Sequence, residues 1–176
     1  MRIFSFTVFF IILNFLQSEV FAHGPTRQKV SQSMNVNAEI MMVWKIISNF
    51  KEFNWNPEII ETIAESNNVG SERVLKFKDG KKITQKLEKI NEEKKIISWR
   101  ITETDNDILP VNSYGAKISV KLEEDGTTNI NYKAGFYRGF MGNDPPEELN
   151  DENSKKKVSK FIKKSLEGLK KIAEKN

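Results

Sequence analysis

Cysteine is absent from this chain and histidine occurs once, as His23. Without cysteine there is no disulfide, no thiolate metal site, no cysteine nucleophile and no lipid-modified cysteine anchor. With one histidine, a nucleophilic triad that uses His23 has no support, and the copper brace that an N-terminal histidine can begin lacks its second imidazole. His23 therefore reads as an ordinary residue. Long apolar runs are scarce as well. The single one, residues 3–16, follows Met1-Arg2 and gives way to Gln17, Ser18 and Glu19. It falls short of the roughly 20 apolar residues that a spanning helix needs. Its layout is that of a secretory signal peptide, with Val20-Phe21-Ala22 as the cleavage site. The expectation is a signal peptide at 1–22, a cut after Ala22, and an exported domain at 23–176. A bacterial periplasm is the simplest destination for an exported chain without cysteine. Export argues against a nucleic-acid partner, and cleavage leaves no membrane anchor.

What is present is an ordinary globular balance, with 38% hydrophobic and 30% charged residues, which excludes a disordered or fibrous chain. Residues 28–37 read as a first strand. Asn37 is a candidate N-cap for a helix carrying Ile40, Val43, Trp44 and Ile47 on one stripe. A second short helix or turn is expected to hold Phe50, Phe53 and Trp55 and to stop at Pro57, which cannot continue a helical hydrogen-bond ladder. Turn signals then recur at Asn67-Asn68-Val69-Gly70, Asp79-Gly80, residues 91–94, Asp105-Asn106-Asp107 and Asp125-Gly126, as an antiparallel meander requires. Strand parity places Tyr114, Ala116, Ile118, Val120 and Leu122 on one face, with Ile130, Tyr132, Ala134 and Phe136 beside them. Leu75, Phe77, Ile83, Leu87, Ile97, Trp99 and Ile101 extend that face through earlier strands.

A cover for this face is supplied by residues 154–174, where Val158, Phe161, Ile162, Ser165, Leu166, Leu169, Ile172 and Ala173 recur at helical spacing, with Asp151 or Ser154 as the candidate cap. The architecture predicted is α+β: a curled antiparallel sheet of about seven strands gripping one long C-terminal helix, with two short helices after the first strand. Gly168 interrupts the terminal helix at a cost of roughly 1 kcal/mol against alanine. Close backbone packing explains that better than space left for a ligand.

The order of these elements, with Trp55-Asn56-Pro57 ending the short helices, resembles the START-like superfamily, also called polyketide cyclase/dehydrase-like or SRPBCC, over nearly the whole domain. More narrowly, His23-Gly24-Pro25, Ile108-Leu109-Pro110-Val111 with Tyr114, Phe136-Tyr137-Arg138-Gly139 and Asn143-Asp144-Pro145-Pro146 resemble the MxaD-type periplasmic proteins of methylotrophic bacteria. That resemblance implies a helix-grip fold and a non-enzymatic accessory role in methanol oxidation, promoting the interaction of methanol dehydrogenase with its cytochrome c acceptor. It implies no cofactor.

The candidate site residues fall into two groups. Trp99, Tyr114, Tyr132 and Phe136 face the covered side of the sheet, as the aromatic wall of a pocket for a small hydrophobic ligand or simply as core. Arg138 keeps the same inward parity at its strand end. Its guanidinium is placed to hold a carboxylate or phosphate at a cavity mouth, or to pair with Asp144 or Glu147. The docking reading gathers Tyr137, Arg138, Asn143, Asp144, Pro145 and Pro146 on one edge. No metal site emerges, since Asp105-Asn106-Asp107 lacks the glycine and distal glutamate of a calcium loop. Residues 151–176 carry nine lysines against four acids, so the positive charge is local to the terminal helix, as a steering surface for an acidic partner or as its solvated face. A cyclase or dehydratase reading finds only tyrosines, Gln85 and Arg138 facing inward, and no acid or base. Accessory protein and carrier or sensor of a hydrophobic ligand both remain open.

Overall fold

The computed structural model describes residues 24–175. The expected signal peptide, its cleavage site and His23 lie outside the described residues. Strand β1 (Gln28–Val36) is followed by helix α1 (Ile40–Ser48), and then by β2 (Ile59–Ala64), β3 (Glu72–Phe77), β4 (Lys82–Asn91), β5 (Ile96–Glu103), β6 (Val111–Leu122) and β7 (Thr128–Arg138). A short 3-10 turn (Glu147–Leu149) leads into the long helix α2 (Asp151–Ala173). The seven strands form one antiparallel sheet in the order β1-β7-β6-β5-β4-β3-β2. Each of β2 to β7 therefore pairs with its neighbour in sequence, while β1 closes against β7.

The hairpins sit where Asp-Gly pairs placed them, at Gly80 between β3 and β4 and at Gly126 between β6 and β7. Both glycines take positive φ, 82° and 83°, which side chains with a Cβ avoid. Parity along β6 and β7 also holds. Tyr114, Ala116, Ile118, Val120, Ile130, Tyr132, Ala134 and Phe136 are buried while Lys117, Lys121 and Lys133 face water. Leu122 departs from the pattern: it is the last residue of β6 and is exposed.

Four boundary expectations are corrected. Residues 50–57 form successive turns rather than a second helix, because their backbone bonds are isolated short-range ones, Glu52 N–H to Asn49, Asn56 N–H to Phe53 and Ile59 N–H to Asn56. Helix α1 starts after Glu39 with no side-chain cap, so Asn37 does not cap it. Helix α2 begins three residues early, and its cap is neither Asp151 nor Ser154 but Asn150, whose side chain accepts from Asn153 N–H. Asp151 is drawn away to Arg138.

Helix α2 is about 35 Å long at 1.5 Å per residue and buries Val158, Phe161, Ile162, Ser165, Leu166, Leu169 and Ala173. Trp55-Asn56-Pro57 forms its cradle. Asn56 Nδ2 donates to Ser165 Oγ at 2.8 Å, and Asn56 Oδ1 accepts from Glu58 N–H at 3.0 Å. At Gly168 the helix backbone comes so near the Trp55 carbonyl that a Cβ would stand 1.9 Å from its oxygen. The glycine therefore serves close packing. Ser154 Oγ donates to Pro110 O at 2.7 Å and Gln32 Nε2 to Ser159 O at 3.0 Å, so polar pins fix the helix register on the sheet.

Candidate functional site

Between α2 and the sheet lies an aromatic interior with a cation at its centre. Phe53 stacks on Trp55 at 3.8 Å and meets Trp99 edge-on at 6.4 Å. Trp99 in turn meets Tyr132 at 5.6 Å, and Tyr114 stacks on Phe136 at 6.1 Å. Trp99, Tyr114, Tyr132 and Phe136, the four aromatics expected on the covered face, are all buried there.

Arg73 enters this interior from β3, on the same face as Leu75 and Phe77, and is only 2% exposed. Its Nε donates to Gln85 Oε1 at 2.8 Å and its Nη1 to the Phe50 carbonyl at 3.1 Å. The guanidinium lies over the rings of Phe50, Phe53 and Trp99 at 4.1, 4.4 and 5.1 Å. Such contacts are worth about 2 kcal/mol when desolvated, against a burial cost of several kcal/mol for an ion. Burial accordingly pulls the Arg73 pKa down to about 9, partly opposed by the Tyr132 and Tyr114 phenols. The group still carries its charge at neutral pH. Burial also pushes Tyr132 up to about 12 and Tyr114 well above the usual phenol value, so both hydroxyls stay neutral; their oxygens stand 3.5 Å apart.

Arg73 escaped the sequence reading, although its alternation with Leu75 and Phe77 placed it inward. A charged residue at the start of a strand ordinarily points to water. Gln85, noted as inward, is its hydrogen-bond partner. Among the described residues no carboxylate pairs with Arg73. Its Nη2, Gln85 Nε2 and Trp99 Nε1 are buried donors with no acceptor among the described residues, as is Trp55 Nε1.

A pocket of about 470 Å³ opens where α2 passes the β3–β4 turn. Phe77, Phe161 and Ile108 give it an apolar lining, and Lys78, Lys156, Lys157, Lys160, Glu58, Asp79 and Asp107 give it a charged rim. None of the five residues expected to line a cavity lines this opening; Trp99, Tyr114, Tyr132 and Phe136 border the interior instead. Tyr114 also touches a smaller polar recess of about 300 Å³ beside Asn112 and Ser113. The aromatics link pocket and interior: Phe161 lies 6.5 Å from Phe77 and 6.1 Å from Phe53, the ring on which Arg73 rests.

The rim acids are all engaged. Asp79 and Asp107 both face Lys81, at 3.6 and 2.8 Å, and the Lys81 hydrogen bond holds Asp107 below the usual carboxylate range. Glu58 pairs with Lys164. Asp105 Oδ1 accepts Asp107 N–H at 2.8 Å, so the Asp105-Asn106-Asp107 run is a turn. Among the described residues no group of three or more carboxylates and histidines is placed to hold a metal.

Arg138 does not reach a cavity mouth. It is buried and braces the following loop, its Nη1 on Asp151 Oδ2 at 2.9 Å, its Nε on Phe140 O at 2.7 Å and its Nη2 on Gly142 O at 2.6 Å. Its ion pair is to Asp151, an acid the sequence reading had not paired with it. Tyr137 is half-buried on the outer face under Arg27, while Asn143, Asp144 and Pro146 are exposed and Pro145 is half-buried. Asn143, Asp144, Pro145 and Pro146 therefore share the loop after β7, while Tyr137 and Arg138 end the strand itself; Phe140 and Met141, which the sequence reading did not single out, are exposed on that loop at 38% and 50%.

The fold is shared with known proteins. An uncharacterised protein from Bacillus thuringiensis is 22% identical, with a TM-score of 0.69 over 82% of this chain and 98% of its own. The protein XoxI from Bacillus cereus is also 22% identical, with a TM-score of 0.69 over 82% of this chain and 94% of its own. Norcoclaurine synthase from Thalictrum flavum, an enzyme solved with dopamine and hydroxybenzaldehyde, is 13% identical, with a TM-score of 0.63 over 85% of this chain and 87% of its own. These likenesses establish the helix-grip fold. No curated protein matches the sequence. The profile of the family described as polyketide cyclase / dehydrase and lipid transport matches residues 27–174, and the chain belongs to that family.

Proposed function

We propose that this chain is a non-catalytic binding protein that takes a small, largely hydrophobic ligand into the pocket between α2 and the β3–β4 turn. The observation that carries this reading is the pocket itself: about 470 Å³, lined by Phe77, Phe161 and Ile108, within the size range of small-molecule sites. Its carboxylates are held by lysines, which leaves no unpaired carboxylate facing the apolar lining among the described residues. The family's lipid-transport members and the aromatic ligands of the norcoclaurine synthase structure are consistent with it. Titration with the neutral fluorophore N-phenyl-1-naphthylamine tests it. Saturable enhancement is expected in the native chain and a loss of at least tenfold in affinity in Ile108→Trp, which fills the pocket. Equal binding by both proteins contradicts the assignment.

A second reading places the mature chain in the periplasm as an accessory of methanol oxidation, with methanol dehydrogenase and its cytochrome c acceptor as partners. It is favoured by the loop of residues 139–151, which Arg138 braces while Phe140 and Met141 stay exposed. Fixed apolar side chains on a braced loop suit protein docking. Added to the dehydrogenase–cytochrome reaction at low salt, the protein is expected to raise its rate, and Phe140→Ser/Met141→Ser to abolish the effect. An unchanged rate with the native protein contradicts this reading.

A further inference from the structure

We infer that the ligand is an amphipathic carboxylic acid that enters head first, its carboxylate seated on Arg73 and its apolar body lying on Phe77 and Phe161. This inference rests on the pocket reading above and names the chemical class of its occupant.

Two independent observations point to an acid. The first is the state of the interior. A guanidinium is buried in an aromatic box without a carboxylate, and three donors around it, Arg73 Nη2, Gln85 Nε2 and Trp99 Nε1, have no acceptor among the described residues. Buried donors are ordinarily satisfied, and an unpaired buried ion is among the costliest groups a fold can retain. A carboxylate is the group that answers all three together. It has two oxygens and four lone-pair directions, carries the compensating charge, and matches the planar fork of arginine. A neutral alcohol has a single oxygen with two lone pairs and supplies none of the charge, and a hydrocarbon accepts nothing.

The second observation is the rim. Its three acids are neutralised, Asp79 and Asp107 by Lys81 and Glu58 by Lys164. Lys78, Lys156 and Lys160 line the same opening, and their ammonium groups make no hydrogen bond or ion pair among the described residues. The entrance is therefore net positive, and it draws anions and raises their rate of arrival. Phe161 and Phe53 stand between this entrance and Arg73, 6.1 Å apart. Entry of the head group needs a rotamer change at one of these rings. The apolar body then replaces the ring contacts that the change gives up.

The test uses a matched pair of probes of nearly equal shape, naphthalene-2-carboxylate and naphthalene-2-carboxamide, titrated into the purified protein by calorimetry at pH 7 and in low and moderate salt. The native protein is expected to bind the acid at least tenfold more tightly than the amide. Arg73→Met is expected to bring the acid down to the affinity of the amide while amide binding persists. Should Arg73→Met misfold, Arg73→Lys, which keeps a charge and loses the planar fork, is expected to lower acid affinity severalfold without touching the amide. Lys156→Ala/Lys160→Ala is expected to slow acid association and flatten its salt dependence, leaving the preference for acid over amide above tenfold. Equal affinity of the native protein for acid and amide overturns the inference while leaving the pocket reading in place, since internal water then suffices for the donors. A preference that survives Arg73→Met but vanishes in the lysine variant overturns the head-first orientation. Binding of neither probe overturns both readings.

Discussion

Replacing Gly168 by alanine sets two effects of similar size against each other. In an exposed helix interior the change stabilises by about 1 kcal/mol, because alanine is the better helix former. Here the new methyl would stand 1.9 Å from the Trp55 carbonyl oxygen and 2.9 Å from its carbon. These are backbone atoms in the Trp55-Asn56-Pro57 cradle, and Asn56 is pinned to Ser165 on the same helix, so neither side yields cheaply. Separating them means lifting α2 from the turn by more than 1 Å near Leu166 and Leu169, both fully packed. Overpacking of that kind costs about 1 to 3 kcal/mol, and contact with backbone belongs at the upper end. The net expectation is a loss of about 2 kcal/mol, or a fall in Tm of roughly 4 to 8 °C for a domain this size. Thermal and urea unfolding of Gly168→Ala measure it, with exposed Lys163→Ala as the control expected to change stability by less than about 0.5 kcal/mol. An increase in Tm for Gly168→Ala refutes the close approach of helix and turn on which the docking of α2 depends.

Other consequences follow from named groups. Arg138→Met removes the brace of the 139–151 loop, including the ion pair to half-exposed Asp151. A loss of about 2 kcal/mol in urea unfolding is expected, with faster amide exchange across residues 140–142. Replacing the buried pair by apolar residues, Arg73→Met/Gln85→Leu, is expected to leave the unliganded protein as stable as the native one or up to about 3 kcal/mol more so, while abolishing the preference for acid over amide; a large loss of stability would show that the pair is structural. Alkaline absorbance titration is expected to show Tyr132 ionising near pH 12 and Tyr114 only with unfolding, since burial raises both. The sign is that unfolded phenols lose protons first, so these tyrosines lower stability as pH rises from about 10. Arg73, lowered in the folded state, works in the opposite direction from about pH 9 upward. Below the ordinary carboxylate range, protonation of Glu174 removes its acceptor bond from Asn37 N–H, and faster exchange at that amide is the expected readout.

Local chemistry was the part legible in the sequence. Asp79-Gly80 and Asp125-Gly126 specify their turns within four residues, and alternation along β6 and β7 carries their buried face without reference to anything distant. The helical stripe from Val158 to Ala173, and the penalty at Gly168, pointed to a long packed helix with one close contact. Tertiary choices were less visible. Asn37 is a good cap by type, but the chain turns into α1 two residues later. Arg138 was legible as inward, whereas its partner was settled by how the loop folds back to Asp151. Arg73 shows the limit most clearly. Its parity put it inside, but only the approach of Phe50, Phe53, Gln85 and Trp99 from three separate segments makes burial of a cation tolerable. The position of the pocket likewise depends on where α2 crosses the β3–β4 turn, which no periodicity encodes.

A crystal structure of the protein soaked to saturation with naphthalene-2-carboxylate is the most direct test of the binding site. The expected result is the ring system on Phe77 and Phe161, a rotamer change at Phe53 or Phe161, and both carboxylate oxygens within hydrogen-bond distance of Arg73. Density for the probe elsewhere, or bound at the rim with the Arg73 box unchanged, would contradict it.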